Sequence, residues 1–216
     1  MTLKAILAML AVFSLVACAT LPGPSGNRTT TSAEAVALLR MGGNLIVMRH
    51  ASAPPDQKTA VGMTAGCVLE GPRGLDAAGF ATARLIGDWL ALRDVAIAKV
   101  YTSDICRAYD TAVLVAAGRA PVIPRGELKS DDPEIADAFK QSLEAELAAS
   151  PAANIVLVTH SNVTPLYWAG PLDGEEETPS GRVHVVRKIQ PLDSSGVAYL
   201  VGRIDKAVTI NADDLP

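Results

Sequence analysis

The chain of 216 residues lacks an apolar stretch of membrane-spanning length, an excess of positive charge and an internal repeat. Its apolar run over residues 5–13 is shorter than the ~20 residues that a transmembrane helix requires. The formal net charge of −4 disfavours nucleic acid or an anionic membrane surface as the main partner. What remains is long enough for one globular domain with a sizeable core.

The first 17 residues have the pattern of an export signal. Lys4 precedes the apolar run and small residues follow it, as in secretory signal peptides. Leu15-Val16-Ala17-Cys18 resembles the bacterial lipobox, in which the cysteine is lipidated and becomes the new N-terminus. The alternative is an ordinary signal peptide in which Cys18 has no role.

Lipidation of Cys18 predicts a protein of the bacterial cell envelope that is anchored in a membrane. Two or three acyl chains hold a protein firmly, whereas one chain binds only marginally. By analogy with other lipoproteins, Ala19 favours the periplasmic face of the outer membrane. Residues 18–30 are rich in Pro, Gly and small polar residues and predict a flexible tether, which leaves residues 31–216 as the domain.

Strand and helix patterns alternate along this domain and predict an α/β fold, a three-layer αβα sandwich with a mostly parallel central sheet. Strands are predicted at residues 45–48, 100–101, 122–123, 155–158, 183–189 and 197–204. Helices are predicted at residues 32–40, 76–92, 106–117 and 132–149, with Ser32, Asp76 and Asp132 as their N-terminal caps.

Polar side chains follow three of the predicted strands. Arg49 and His50 follow the first, Arg107 begins the helix after the second, and His160 follows the strand at residues 155–158. Ligands of parallel sheets bind beyond the carboxyl ends of the strands, so these residues are expected to share one crevice. Guanidinium groups suit phosphate oxygens, and histidine can act as a nucleophile. Taken singly, each residue could instead be a cap or a core residue.

Taken together and in this order along the chain, these four residues resemble the motifs of the histidine phosphatase (phosphoglycerate mutase-like) superfamily, and the resemblance extends over about residues 44–204. The family's Arg-His-Gly is similar to Arg49-His50-Ala51 here, and His160 matches its late histidine. Its Ser-x-x-x-Arg-Ala-x-x-Thr-Ala and Leu-x-x-x-Gly-x-x-x-Ala patterns match Ser103, Arg107, Ala108, Thr111 and Ala112, and Leu75, Gly79 and Ala83. The nearest branch resembles the exported phosphatases of lipopolysaccharide core heptose phosphates.

The resemblance implies a phosphomonoesterase that needs neither metal nor cofactor. His50 would attack phosphorus and become phosphohistidine, while Arg49, Arg107 and His160 bind the phosphate oxygens. The expected substrate is a phosphorylated small molecule or glycan. A catalytically idle, phosphate-binding lipoprotein of the same fold is the alternative.

Two neighbouring reactions are less favoured. The family's mutases carry a polar clamp after the Arg-His pair, whereas this chain has Ala51-Ser52-Ala53-Pro54-Pro55. An exported location also separates the protein from phosphoglycerate and from cytoplasmic phosphorelay proteins, which disfavours a mutase or a protein phosphohistidine phosphatase.

The proton donor is the least determined member of the site. Many members of the family carry a glutamate soon after the third strand, and Glu127 occupies that place. The alternatives are a solvated loop carboxylate at Glu127 and a donor at Asp56, Asp131 or Asp132. Asp132 is also expected to cap a helix.

Cys67 and Cys106 are predicted to form a disulfide. Export places both in an oxidising compartment, and lipidation of Cys18 leaves them as the even pair. Cys106 directly precedes Arg107, so a bridge would hold a loop near the phosphate pocket. The alternative is two separate thiols.

Overall fold

The computed structural model describes residues 32–53, 74–167, 178–187 and 199–204. The α-helices in these ranges are α1 (Ser32–Met41), α2 (Ala77–Leu92), α3 (Cys106–Ala116) and α4 (Pro133–Ala149). The strands are β1 (Leu45–Arg49), β2 (Ile97–Thr102), β3 (Val122–Pro124), β4 (Asn154–Thr159), β5 (Val183–Arg187) and β6 (Tyr199–Ile204). Two short 3₁₀ helices are η1 (Gly126–Lys129) and η2 (Thr164–Tyr167).

The strands form one sheet in the order β3-β2-β4-β1-β5-β6. β4 pairs in parallel with both β1 and β2, and β2 pairs in parallel with β3. At the edge opposite β3, β5 pairs antiparallel with β1 on one side and with β6 on the other. The prediction of a mostly parallel α/β sheet is therefore confirmed.

Alternating side chains on the strands build a core on each face of the sheet. Ile46 and Met48 of β1 join a cluster formed with α1, α2 and α3. Leu45 and Val47 point the other way and pack with residues of α4, η1 and η2. The strands are apolar on both faces because helices cover both, and the result is the predicted three-layer arrangement.

The helix termini largely follow their sequence signals. Asp76 accepts a hydrogen bond from the Gly79 N–H and Asp132 accepts one from the Glu134 N–H, so both cap helices as predicted. Ser32 is the first described residue of α1, and its role as the cap stays a prediction. α3 ends at Ala116, one residue early, because Ala117 adopts the left-handed conformation with φ 49°.

Two buried asparagines tie the amino ends of the central strands together. Asn44 Nδ2 donates to Asn154 Oδ1 at 2.8 Å, and Asn154 Nδ2 donates to the carbonyl oxygens of Leu39 and Ala96 at 2.8 and 2.9 Å. These bonds satisfy polar groups that burial would otherwise leave unpaired. They fix the end of the sheet opposite the carboxyl ends of the parallel strands.

Several predicted features lie outside the described residues. These are the export signal and tether at residues 1–30, with Cys18 in them, and also Asp56 and Cys67. In the ranges that are described, no helix combines the length and the apolar character needed to cross a membrane.

Candidate active site

Three neighbouring parallel strands bring His50, Ser103 and His160 to one edge of the sheet. β4 lies between β1 and β2, and each of the three residues directly follows its strand. The N–H of His50 donates to the Thr159 carbonyl at 2.9 Å, and that of Ser103 donates to the Val158 carbonyl at 3.1 Å. These two bonds continue the strand pairing up to the site. The imidazole rings of His50 and His160 lie edge to face, with their centroids 5.4 Å apart.

His50 is held in the tautomer in which Nε2 carries the lone pair. Its Nδ1–H donates to the Ala51 carbonyl oxygen at 2.7 Å, because a carbonyl can only accept. Nε2 is therefore unprotonated and accepts from the Arg107 Nε–H at 3.0 Å. Burial lowers the pKa of His50 to about 3, with the charges of Arg107, His160 and Arg49 adding to the effect and the bond to Ala51 opposing it. The ring is thus a neutral, buried base with its lone pair directed at a guanidinium group.

Arg107 contacts both histidines from the first turn of α3. Its Nη2 lies 3.4 Å from His160 Nδ1, in addition to the bond from Nε to His50. Thr111, one turn further along, donates to the Arg107 carbonyl at 2.7 Å and accepts from the Ala51 N–H at 3.1 Å. The two hydrogen bonds of Thr111 therefore join the start of α3 to the backbone that follows His50.

Arg49 joins the pocket from the end of β1, and its charge acts on His50. Its Nη1 donates to the Thr178 carbonyl at 2.7 Å, and the Gly181 N–H donates to the His50 carbonyl at 3.1 Å. The segment before β5 therefore closes one side of the site. Sequence reasoning missed Thr178 and Gly181, which no motif of the chain marks.

Helix α2 holds the segment after the nucleophile candidate. Ser52 Oγ donates to Asp76 Oδ2 at 2.7 Å, and the Asp76 N–H donates to the Ser52 carbonyl at 3.1 Å. A Cβ on Gly79 would overlap that carbonyl, so the glycine is required for the close approach. Ala51 and Ala53 pack with Leu75 and Ala83, which gives the Leu-x-x-x-Gly-x-x-x-Ala pattern a physical purpose.

Glu127 lies on η1, just after β3, but it does not bond to the four pocket residues. Among the described residues its carboxylate pairs with Arg125 Nη2 at 3.0 Å. The Arg125 guanidinium lies over the Phe139 ring, 5.0 Å from the centroid. Of the rival donors, Asp132 caps α4, and Asp131 accepts from Asn162 at 3.4 Å.

Cys106 is disulfide-bonded. Its partner lies outside the described residues, as do both other cysteines of the chain, so the pairing with Cys67 stays a prediction. Within the described ranges, no group of three or more His, Cys, Asp or Glu side chains is arranged to hold a metal ion.

Comparisons with known proteins agree with this geometry. Residues 45–132 match the family model of the histidine phosphatase superfamily (branch 1). The matched segment contains Arg49, His50, Ser103 and Arg107, and it confirms the resemblance to that superfamily; the narrower heptose phosphatase branch stays a prediction. Curated proteins give no match.

Solved structures with the same fold cover most of the chain. The protein histidine phosphatase SixA, complexed with tungstate, is 24% identical with a TM-score of 0.52, over 76% of this chain and 97% of its own. YhfR from Bacillus stearothermophilus is 17% identical with a TM-score of 0.54, over 76% and 98%. A mycobacterial glucosyl-3-phosphoglycerate phosphatase is 18% identical with a TM-score of 0.51, over 73% and 96%. At these identities the likeness shows the fold alone.

The contact between α2 and Ser52 leads to a prediction about Gly79. In Gly79→Ala the new methyl group must displace the backbone after His50, and we expect a loss of about 1–3 kcal/mol in the free energy of unfolding. Urea denaturation measures it. Gly126→Ala is the matched control, because its Cβ would meet nothing within 4 Å. Equal stability of the two variants would contradict the role given to Gly79.

Proposed function

We propose that this chain is a phosphomonoesterase that transfers a phosphoryl group first to His50 and then to water. One observation carries the proposal: the Ala51 carbonyl holds the Nδ1–H of a buried, neutral His50, which leaves Nε2 to attack. The match of residues 45–132 to the histidine phosphatase superfamily supports the same chemistry.

The reaction has two balanced steps. In the first, a bond forms between His50 Nε2 and phosphorus while the bond from phosphorus to the ester oxygen breaks, and the leaving oxygen takes a proton. In the second, water attacks phosphorus and returns a proton to the carboxylate that protonated the leaving oxygen, the bond to Nε2 breaks, and inorganic phosphate departs. His50 regains its lone pair, so the ring finishes in the tautomer in which it began.

The pocket supplies positive charge for the phosphoryl oxygens. The Arg107 Nε–H donates to the lone pair of His50 Nε2 at 3.0 Å, so the guanidinium must turn from that lone pair to the phosphoryl oxygens when phosphorus approaches. Arg49 and His160 are the other two members of the pocket, and both act on His50 electrostatically. Fixed charges in a buried site stabilise the charge of the transition state without reorganisation. We therefore propose that no metal ion or other cofactor is required.

Glu127 is our proposed proton donor to the leaving oxygen. Two contacts hold η1 beside the pocket: Thr159 Oγ1 donates to the Leu128 carbonyl, and Lys129 Nζ pairs with Asp104 at 2.8 Å. Arg125 fixes the carboxylate of Glu127 on this turn. Asp132 serves worse, because its side chain is engaged as the cap of α4.

The setting proposed for this reaction is the bacterial cell envelope. The pattern of Lys4, the apolar run and Cys18 supports export and a lipid anchor, and Ala19 supports the periplasmic face of the outer membrane. The substrate would then be a small or glycan-linked phosphate ester, with the exported heptose phosphate phosphatases as the nearest branch. The net charge of −4 disfavours nucleic acid.

Replacing His50 tests the nucleophile. We expect His50→Asn to lower kcat by at least ~10³-fold on any phosphomonoester that the wild type hydrolyses. Rapid quenching of the wild type with labelled substrate should trap a base-stable, acid-labile adduct on His50, in EDTA as well as without it. Because the pKa of His50 is lowered to about 3, protonation of this ring should not reduce kcat/KM until the pH falls towards that value.

Three outcomes separate the alternatives. Retention of more than a few per cent of activity by His50→Asn would show that another group attacks. Complete loss in EDTA with recovery in zinc would overturn metal independence. Binding of inorganic phosphate without turnover of sugar, nucleotide or glycan phosphates would identify an idle phosphate-binding protein.

Glu127→Gln tests the proton donor. Alkyl leaving groups need protonation, whereas an acidic phenol leaves without it, so we expect kcat to fall by about 10²-fold on alkyl phosphates and far less on nitrophenyl phosphate. Glu134→Gln, in the first turn of α4, is the matched control and should change neither rate. Equal losses on both ester types in Glu127→Gln would assign the role to another carboxylate.

Lipidation is tested at Cys18. In a bacterial host, the full chain should incorporate labelled palmitate and remain with the outer membrane, and Cys18→Ala should lose the label. Ala19→Asp should keep the label but move the protein to the inner membrane. Equal labelling of Cys18→Ala and the wild type would disprove the anchor.

A further inference from the structure

Ser103 is a buried hydroxyl that the proposed reaction does not use. It is fully inaccessible to solvent, and its backbone N–H is bonded to the Val158 carbonyl of β4 at 3.1 Å. Its Oγ lies 2.8 Å from His160 Nε2 and accepts a longer bond from the Ile105 N–H at 3.4 Å. The hydroxyl therefore touches the side of the His160 ring that faces away from Arg107.

The bonds around His160 define its tautomer. Arg107 Nη2 lies 3.4 Å from His160 Nδ1, and a guanidinium group can only donate, so Nδ1 carries the lone pair. The proton of the neutral ring is then on Nε2, where it donates to Ser103 Oγ. This assignment follows from the hydrogen-bond network.

This tautomer conflicts with a bound oxyanion. His50 Nε2 and His160 Nδ1 both direct lone pairs at Arg107. Phosphate oxygens also carry lone pairs, so an oxygen beside His160 Nδ1 meets an acceptor and not a donor. The conflict ends when one of the two rings gains a proton, or when the His160 proton moves to Nδ1 and the Ser103 hydroxyl turns from acceptor to donor at Nε2. His50 must remain unprotonated at Nε2 if it is to attack phosphorus.

We propose that Ser103 is a positioning residue that holds the Nε2–H of His160, so that oxyanion binding places a solvent proton on His160 Nδ1. With both nitrogens protonated, His160 donates to the ligand through Nδ1 and to Ser103 through Nε2. The hydroxyl of Ser103 stabilises the resulting imidazolium, since a hydrogen bond to a charged group is stronger than one to a neutral group. When the ligand leaves, the proton returns to solvent.

The charged groups around the ring fit this assignment. Arg107 of α3 and Arg49 at the end of β1 are the cations near the two histidines, and they oppose a proton on His160 until an anion enters. Asp104, in the loop after β2, pairs with Lys129, and Glu127 of η1 pairs with Arg125. These two carboxylates are thus engaged with other cations, and a bound anion adds negative charge beside the ring.

The inference deepens the proposed phosphatase reaction and rests on the same pocket, but inorganic sulfate tests it without turnover. Sulfate is a dianion that carries no proton at neutral pH, so any proton taken up on binding resides on the protein. Calorimetry of the wild type at pH 7.5, in buffers of different ionisation enthalpy, should show uptake of nearly one proton per sulfate. Nitrogen-15 NMR of labelled histidine should show His160 Nδ1 unprotonated when free and protonated when bound.

Serine variants test the positioning role. We expect Ser103→Ala to weaken sulfate binding about tenfold at pH 7.5, and to lower by ~1 unit the pH above which affinity falls, because a bond to the imidazolium is lost. Ser103→Thr, which keeps a hydroxyl, should restore that pH. Ser142→Ala removes a hydroxyl from α4 that donates to the Phe139 carbonyl of the same helix, and it should leave both quantities unchanged.

Four results would overturn the inference: no sulfate binding, binding without proton uptake, a proton on His50 Nε2 in place of His160, or no pH shift in Ser103→Ala. The NMR measurement uses the wild type and decides even where a variant fails to fold. If sulfate binding shows the expected proton on His160 while no phosphohistidine forms on His50, the proposed function fails and the role of Ser103 stands.

Discussion

The parallel pairing of β4 with both β1 and β2 is the constraint on which the site depends. Because the register sets Arg49 opposite Thr159 and Thr102 opposite Val158, His50 lies level with His160, and Ser103 lies level with Thr159, one residue earlier. A slip of one residue would turn each side chain to the other face of the sheet. The buried asparagine pair at the other end helps to fix that register.

Burial of His50 then determines the protonation state of its ring. Moving a charged ring out of water is costly, so His50, which is 3% exposed, is stable only as the neutral base that a nucleophile must be. The Ala51 carbonyl selects the tautomer, and Thr111 and Asp76 fix the backbone on which that carbonyl lies. In the proposed reaction, the reactivity of His50 would therefore arise from packing around the ring.

Much of the fold and the pocket could be predicted because the signals are local. Apolar runs mark β1 and β4, and Asp76 and Asp132 mark helix starts, so residues that follow the strands can be placed at one edge. The bond from Arg49 to Thr178 and that from Ser103 to His160 join segments 129 and 57 residues apart. Such contacts depend on loop paths and side-chain rotamers, which periodicity does not encode. Ala117 shows the same limit, since a non-glycine residue in the left-handed region ends α3 without a sequence signal.

The same reasoning locates the determinants of substrate choice outside the pocket. In the proposed reaction the groups at the strand ends bind a phosphoryl group, which all phosphomonoesters share, so they would not distinguish one ester from another. Discrimination would then come from surfaces that meet the rest of the substrate, and η1 is one described segment that other elements hold in place. Leu128 is tied to the end of β4, and Lys129 to the loop before α3. A donor at Glu127 would therefore approach the leaving oxygen from a rigid turn, and the side chains beside it would meet the alcohol that departs.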